Sequence, residues 1–258
     1  MKAAVFQGVG KPLAIEERPD PSPGPGEAVI KVGRAGICGS DLHMTSEPGT
    51  TIAPGTIIGH ELAGEVVALG KGVTNLRIGD RVAPLPFVGC GHCAACSDGR
   101  PHHCAQARID VVTGFAQFSR VGVGDCVVLP PELSDADGAL IEPLAVGLQG
   151  VRKAQMRIGC RALVLGAGPI GLASAFWARR LGASRVVVVA HSRRRERFAR
   201  DFGATHFIAQ SDVAEPAAAI NDALGGPPEV VFEAVGLPGA IGKAMEYVAP
   251  RGTIIGLG

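Results

Sequence analysis

The sequence has 258 residues and a formal net charge of +1, and 47% of its residues are hydrophobic against 19% charged. This composition provides enough apolar side chains for one or two packed domains. The near-neutral charge gives no electrostatic reason to expect a nucleic acid or an anionic membrane as partner. The first residues lack the apolar run of a signal peptide, and the longest apolar runs, such as residues 186–190, fall far short of the about 20 residues that span a bilayer.

Short β-branched runs separated by glycine and proline fill the first half of the chain. Residues 27–32, 65–69 and 80–83 have this character, and closely spaced short strands are typical of a barrel-like or sandwich β body. Further along, Ser134 is a candidate N-cap for a helix that Pro143 would strain or restart.

From residue 161 onward, strand and helix patterns alternate. Such alternation predicts a doubly wound parallel sheet, and we place the domain boundary near residue 150, giving domains 1–150 and 151–258. Apolar runs predict strands at 161–166, 185–190, 206–209, 229–233 and 252–257, and helices at 170–181 and 194–202.

Four cysteines lie close together in one glycine-rich segment: Cys90, Cys93, Cys96 and Cys104. Two-residue gaps allow neighbouring cysteines to bind one tetrahedral zinc ion, and the glycines permit the tight turns that this requires. Four thiolates leave no open coordination position, which predicts a structural site in a reducing, cytoplasmic compartment. The alternative is four unrelated buried cysteines, and nearby histidines are alternative ligands: His92, His102 and His103.

A second set of candidate metal ligands is dispersed along the chain. Cys38, His60 and a carboxylate from the segments 59–61 and 141–144 would give three protein ligands. The open fourth position would let zinc act as a Lewis acid on an alcohol or carbonyl oxygen. Taken singly, each residue also has an ordinary explanation, as a small core cysteine, a hydrogen-bonded histidine or a surface carboxylate.

A glycine motif follows the strand predicted at 161–166. Gly166, Gly168 and Gly171 form G-x-G-x-x-G, with Pro169 and Ile170 inside the motif. Because the motif ends a strand and opens a helix, it predicts a helix N-terminus that receives the pyrophosphate of a dinucleotide.

The residues after the second strand of this domain depart from the NAD-binding pattern. Ala190 stands where an acidic residue would hold the ribose 2′-hydroxyl of NAD. Ser192 and one of three arginines could instead bind a 2′-phosphate, which favours NADP(H) over NAD(H). The candidates are Arg193, Arg194 and Arg195. The alternative is that all three point into solvent and His191 packs on the adenine.

The segments Cys-Gly-Ser-Asp-x-His, Gly-His-Glu and Glu-Pro-Leu-Ala-Val, in this order around the four cysteines, resemble the zinc-dependent medium-chain dehydrogenase/reductase family. The resemblance covers the whole chain and implies a GroES-like, β-barrel-type catalytic domain followed by a Rossmann domain. It implies that Cys38, His60 and Glu142 surround a catalytic zinc, with Glu61 as an alternating or additional ligand. Simple alcohol dehydrogenases of the family often carry a cysteine at the position of Glu142, and a glutamate there is similar to the polyol, sugar and threonine dehydrogenase branches.

The resemblance also implies a proton relay. Ser40 would accept the hydrogen bond of the substrate hydroxyl and pass its proton through cofactor hydroxyls towards His43, since a hydroxyl both donates and accepts and imidazole titrates near neutral pH. Asp41 would hold His60 and fix its tautomer. The ordinary alternatives are a turn cap for Ser40 and an Asx-turn for Asp41.

We therefore expect an enzyme with two zinc ions per chain that transfers a hydride between NAD(P) and a small alcohol, polyol or sugar hydroxyl. The alternatives are a catalytically silent nucleotide-binding or sensor protein, and a quinone or enone reductase of the same superfamily, which usually lacks these metal ligands. The loop 47–54 is expected to line the substrate cleft. The resemblance implies a sixth strand after Gly258 and, for a complete chain, a dimer or tetramer, so we expect an unpaired sheet edge and lowered stability here.

Overall fold

Two groups of strands and helices follow each other along the chain, Met1–Glu142 and Pro143–Gly258. The computed structural model describes residues 1–49, 52–108 and 112–258. The predicted boundary near residue 150 lies further along the chain than the observed division after Glu142. Both positions fall within the helix Ile141–Lys153. Over the described ranges, no helix has both the length and the apolar content needed to cross a bilayer.

The first unit consists mainly of antiparallel strands. Five of them form a sheet in the order β6-β3-β4-β5-β7, and β1 and β2 pair separately. The strands predicted at 27–32, 65–69 and 80–83 are confirmed as β3, β4 and β5. The elements that begin in this unit are β1 (Lys2–Val5), β2 (Ala14–Glu17), β3 (Glu27–Ala35), α1 (Gly39–Ser46), β4 (Leu62–Leu69), β5 (Arg81–Pro84), α2 (Ala94–Ser97), β6 (Phe118–Gly122), β7 (Cys126–Val128), α3 (Asp135–Ala139) and α4 (Ile141–Lys153).

The core of this sheet is aliphatic. Side chains from β3, β4, β5 and β6 pack together on one face, among them Ile30, Leu62, Val66, Val82 and Val121. Burying side chains of this size contributes about 1.5 to 3 kcal/mol each, so these strands supply a rigid base for the loops that carry polar residues.

The start of α3 has the predicted cap. The Ser134 hydroxyl accepts the backbone N–H of Asp137 at 3.2 Å, and the Asp137 carboxylate accepts the N–H of Ser134 at 2.8 Å. This reciprocal pair satisfies two helix-terminal donors. The helix ends at Ala139, and α4 begins at Ile141 with Pro143 in its first turn, so the predicted restart is confirmed.

The second unit is a parallel sheet with helices between its strands. The strand order is β10-β9-β8-β11-β12, and every pairing is parallel. All five predicted strands are confirmed, and the two predicted helices correspond to α5 and α6, whereas α7 and α8 were not predicted from the sequence. The elements are β8 (Arg161–Leu165), α5 (Pro169–Arg180), β9 (Arg185–Ala190), α6 (Glu196–Asp201), β10 (His206–Ala209), α7 (Pro216–Leu224), β11 (Val230–Glu233), α8 (Ala240–Tyr247) and β12 (Thr253–Gly256).

Both faces of the parallel sheet are buried. On β8, Ala162 and Val164 belong to the core on one face, and Leu163 and Leu165 belong to the core on the other. The strand order reverses between β8 and β11, and doubly wound sheets bind ligands at the carboxyl ends of strands at such a point. The fold is the predicted Rossmann type, and its ligand edge is the edge at which β8 ends.

Candidate metal centres and cofactor site

One candidate metal centre lies between the start of α1 and the start of β4. The ligand atoms of Cys38, His60 and Glu61 lie within 4.8 Å of one another. A β-carbon at Gly36 would lie 2.3 Å from a carboxylate oxygen of Glu61, so the absence of a side chain at position 36 makes room for that carboxylate. Thiolate, imidazole and carboxylate are the donors that zinc binds in proteins, and the residues present fit this ion.

Asp41 lies directly behind these ligands. It is 2% exposed; one carboxylate oxygen accepts the N–H of Cys38 at 2.9 Å, and the other lies 3.6 Å from Nδ1 of His60. The same side chain therefore fixes the start of α1 and approaches the imidazole. This is the arrangement expected of a residue that sets the tautomer of a metal-binding histidine, and that role stays a prediction.

Glu142, the second residue of α4, faces the same group of side chains. Its carboxylate lies outside the 4.8 Å cluster, but it interacts electrostatically with His60, Glu61 and Asp41. Burial raises the pKa of Glu142, of Glu61 and of the Cys38 thiol. Because a divalent cation favours the ionised forms of all three groups, metal binding here would release protons.

Ser40 and His43 occupy the exposed side of α1. A spacing of three residues places them next to each other on the helix surface. Ser40 interacts with the Cys38 sulfur, and Nδ1 of His43 lies 2.6 Å from a carboxylate oxygen of Glu47. Part of the predicted cleft loop 47–54, residues 50 and 51, lies outside the described residues.

The four predicted cysteines form a second cluster. The sulfur atoms of Cys90, Cys93, Cys96 and Cys104 lie within 4.8 Å of one another, and those of Cys90 and Cys96 are 4.0 Å apart. A tetrahedral zinc–thiolate site has sulfur atoms about 3.8 Å apart, given Zn–S bonds of about 2.3 Å. Among the described residues no histidine joins this cluster, so the donor set fits a closed zinc site.

Backbone N–H groups already stabilise one thiolate in this cluster. Those of His92 and Cys93 lower the pKa of Cys90 to about 6. The N–H of Gly91 acts on Cys96 in the same direction, but burial and interactions with the other cysteines prevail and raise its pKa to about 12. These interactions favour a thiolate at Cys90 and disfavour one at Cys96, and a bound divalent cation would favour the thiolate form.

The cysteine lobe, defined as residues 89–104, is joined to the sheet of the first unit at its base. Val88 and Arg108 exchange two backbone hydrogen bonds of 2.9 Å. The Arg108 guanidinium pairs with the buried carboxylate of Glu27, the first residue of β3. Burial alone would raise the pKa of Glu27, but the N–H of Gly24 and the guanidinium of Arg108 lower it more, so this anchor stays charged at neutral pH.

The glycine motif forms the turn between β8 and α5. Gly166 has φ +100°, and a β-carbon there would lie 2.8 Å from the carbonyl oxygen of Ala234. A β-carbon at Gly171 would lie 2.0 Å from the carbonyl oxygen of Gly166. Gly168 is the N-cap of α5 and Pro169 its first residue. Since the first N–H groups of a helix have no intrahelical partner, this turn fits a pyrophosphate.

The arginines that follow β9 differ in their surroundings. Arg193 is engaged by Asp212 at 2.6 Å and by Glu196 at 2.7 Å, so its charge is already balanced. Arg195 donates to the carbonyl oxygen of Ala167 at 3.1 Å and thus lies against the glycine turn. Arg194 and Ser192 are exposed, and Arg194 has no ion pair among the described residues.

Glu233 is a residue of this edge that the sequence analysis did not select. It ends β11, is 2% exposed, and accepts the N–H groups of Val235 and Gly236 at 2.7 and 3.1 Å. It therefore shapes the turn whose Ala234 carbonyl abuts Gly166. The sequence pattern that could have identified Glu233 is an acidic residue at the end of an otherwise apolar strand, at the carboxyl edge of the sheet.

Known proteins share both units. The model described as "Alcohol dehydrogenase GroES-like domain" matches residues 24–131, and "Zinc-binding dehydrogenase" matches residues 169–258. Sorbitol dehydrogenase of Bacillus subtilis is 34% identical, over 100% of this chain and 75% of the relative. A zinc-binding dehydrogenase of Sinorhizobium meliloti, solved bound to NADP, has 31% identity, a TM-score of 0.88 and coverage of 100% and 76%. The 2R,3R-butanediol dehydrogenase of Bacillus subtilis has 33% identity, a TM-score of 0.84 and coverage of 99% and 77%.

The chain belongs to the zinc-dependent medium-chain dehydrogenase/reductase family. It is an oxidoreductase that acts on CH–OH donors with zinc and a nicotinamide cofactor, and its substrates are small-molecule alcohols.

Proposed function

We propose that this chain oxidises a secondary hydroxyl of a small polyol, reversibly, with NADP as the hydride acceptor and with a zinc ion held by Cys38, His60 and a glutamate. The observation that carries the proposal is the convergence of Cys38, His60 and Glu61 within 4.8 Å, with Glu142 facing them. The similarity to enzymes named for sorbitol and butanediol supports a substrate with more than one hydroxyl.

Bound zinc would supply Lewis acidity towards the substrate oxygen. The chain's own residues do the positioning and the proton transfer. Asp41 holds the His60 imidazole in position. The Ser40 hydroxyl accepts a hydrogen bond from the substrate hydroxyl, and His43, one turn further along α1, receives the proton. The glycine turn and the N-terminus of α5 bind the cofactor pyrophosphate, which orients the nicotinamide for hydride transfer.

A second, structural zinc ion in the cysteine lobe completes the proposal. Cys90, Cys93, Cys96 and Cys104 form no disulfide, and a thiolate site of this kind suits a reducing compartment such as the cytoplasm. We therefore expect two zinc ions per chain in freshly purified protein, measured by elemental analysis, together with turnover of sorbitol or butanediol. One zinc ion or none, or no turnover across a panel of polyols and their ketones, would count against it.

We further propose that NADP(H) binds more tightly than NAD(H). Ala190 offers no carboxylate to repel a 2′-phosphate. Among the described residues, no carboxylate pairs with Arg194 or Arg195, whereas Asp212 and Glu196 pair with Arg193. A charge-assisted hydrogen bond contributes about 1.5 to 3 kcal/mol, and about 1.4 kcal/mol is a tenfold change in Kd. Calorimetry should therefore give a Kd for NADPH at least about tenfold below that for NADH.

The arginine variants test which side chains are responsible. Changing Arg194 and Arg195 together to alanine should abolish the preference, whereas Arg193→Ala should leave most of it. Arg197→Ala is the matched control, because Arg197 is 92% exposed one turn further on and, within the described part of the chain, pairs only with Asp201, at 3.8 Å. Equal affinities for the two cofactors in the unmodified protein would refute the proposal.

A further inference from the structure

Helix α3 approaches the sheet of the first unit unusually closely at Gly138. A β-carbon at this position would lie 2.7 Å from the β-carbon of Ala63 and 2.6 Å from a methyl carbon of Leu129. Carbon atoms in ordinary contact are about 3.5 to 4.0 Å apart. The leucine can rotate away, but Ala63 is fixed on β4 and fully buried. Only glycine therefore lets α3 lie this close to β4.

The same contact adjoins both candidate metal-binding carboxylates. Ala63, Ala83 and Leu129 form a small separate core, and Ile141 packs against it. Ala63 is two residues after Glu61, and Ile141 immediately precedes Glu142. A change in the separation between α3 and β4 therefore changes the positions of the two glutamates, because each is only one or two residues away from this contact.

A half-buried ion pair links the first turn of α3 to the neighbouring strands. A β-carbon at Gly33 would lie 1.9 Å from a carboxylate oxygen of Asp135, so this carboxylate fills the place of a side chain on β3. Gly33 lies at an irregularity in the β3–β4 register, between Val32 and Arg34. Arg81 of β5 lies 3.6 Å from the other oxygen of Asp135. Because the first turn of α3 is held in this way, a displacement at Gly138 shifts the last turn of α3, which leads into α4 and Glu142.

We infer that Gly138 is a positioning residue for metal binding: its lack of a side chain sets the distance between Glu142 and the cluster of Cys38, His60 and Glu61. A methyl group at 138 would push the helix outwards by roughly 1 Å, judged from ordinary carbon–carbon contacts. Designed sites tolerate only about 0.5 Å of misplacement. The inference rests on the metal site put forward under Proposed function.

The test is Gly138→Ala, purified with both metals and titrated with a zinc chelator. We expect one of the two zinc ions to dissociate at about 10- to 100-fold lower chelator concentration, the range found when residues supporting metal ligands are changed. The zinc ion of the cysteine lobe serves as the internal reference. In cobalt-substituted protein, the visible absorption of the Cys38 site should change while that of the four-thiolate site stays constant.

Two further variants separate positioning from general destabilisation. Gly242→Ala is the same substitution in helix α8, where a β-carbon meets nothing within 4 Å, and it should leave both zinc ions bound as before. Ala63→Gly combined with Gly138→Ala removes the fixed obstacle and should restore much of the metal affinity. Unchanged affinity in Gly138→Ala, or no recovery in the double variant, would overturn the inference.

Failure of the metal site itself would look different. If Cys38→Ser retains two zinc ions, the proposed ligand set is wrong, whatever Gly138→Ala does. If Cys38→Ser loses one ion and Gly138→Ala loses none, only the positioning role is rejected. Should Gly138→Ala not fold, Ile141→Val probes the other end of the contact, and wild-type chelator resistance in that variant would reject the role.

Discussion

Replacing Cys93 with serine is expected to release one zinc ion and to unfold the cysteine lobe. The lobe contains only the four-residue helix α2 and a short 3-10 turn, Pro101–His103, and most of its residues are exposed or half-buried. It lacks an apolar core, so a bound zinc ion would supply its order. Structural zinc sites bind with about 10 to 16 kcal/mol in small peptides, against about 5 to 15 kcal/mol for the stability of a whole domain.

The measurements are zinc content, limited proteolysis and thermal unfolding. We expect one zinc ion per chain, rapid cleavage within residues 89–104 and a lower unfolding midpoint. The matched variant is Cys38→Ser, which should also lose one zinc ion and should reduce turnover to background, yet keep protease resistance and the midpoint. Wild-type folding and turnover in both variants would show that both ligand sets are misassigned.

The two candidate metal centres differ in how far sequence alone could predict them. The cysteine lobe is a local pattern, since four ligands fall within residues 90–104 and their spacing indicates one ion. Cys38, His60 and Glu142 are separated by more than 20 residues at each step, so only the family resemblance grouped them. That resemblance could not place Glu142 outside the tight cluster, because its position depends on the packing of α3 at Gly138.

At the cofactor edge, too, some features could be predicted from local sequence and others depend on the folded structure. Both sequence signals here are local: the glycine spacing predicts a dinucleotide site, and the missing acid at Ala190 favours NADP(H) over NAD(H). Which arginine has an uncompensated charge depends on Asp212, which lies 19 residues beyond Arg193 and reaches it only through the pairing of β9 with β10. Likewise, α7 and α8 have only nine and eight residues, too few for periodicity to identify a helix with certainty, whereas the β-branched strand between them, β11, is easily recognised.

Changing Ser40 to alanine is expected to lower kcat by about 10² to 10⁴-fold, the range for loss of a positioned proton-transfer group. Ser40 lies on the exposed side of α1 and interacts with the Cys38 sulfur, so its hydroxyl is placed beside the metal ligands without being one of them. Zinc content should therefore remain at two per chain. The matched control is Ser46→Ala on the same helix, whose hydroxyl donates to the backbone carbonyl of Leu42, and its kcat should be unchanged.

His43→Gln tests the other end of the relay, and its effect should differ in kind. Glutamine keeps a polar side chain beside Glu47 but cannot take up a proton, so the pH dependence of kcat should change more than its plateau value. Ser40→Ala should lower the plateau itself, because no other hydroxyl in α1 replaces Ser40 beside Cys38. In the double variant the two effects should be less than additive, since both side chains serve one proton path. A pH profile of His43→Gln that superimposes on that of the unmodified enzyme would remove His43 from the path, and full additivity would separate the two residues.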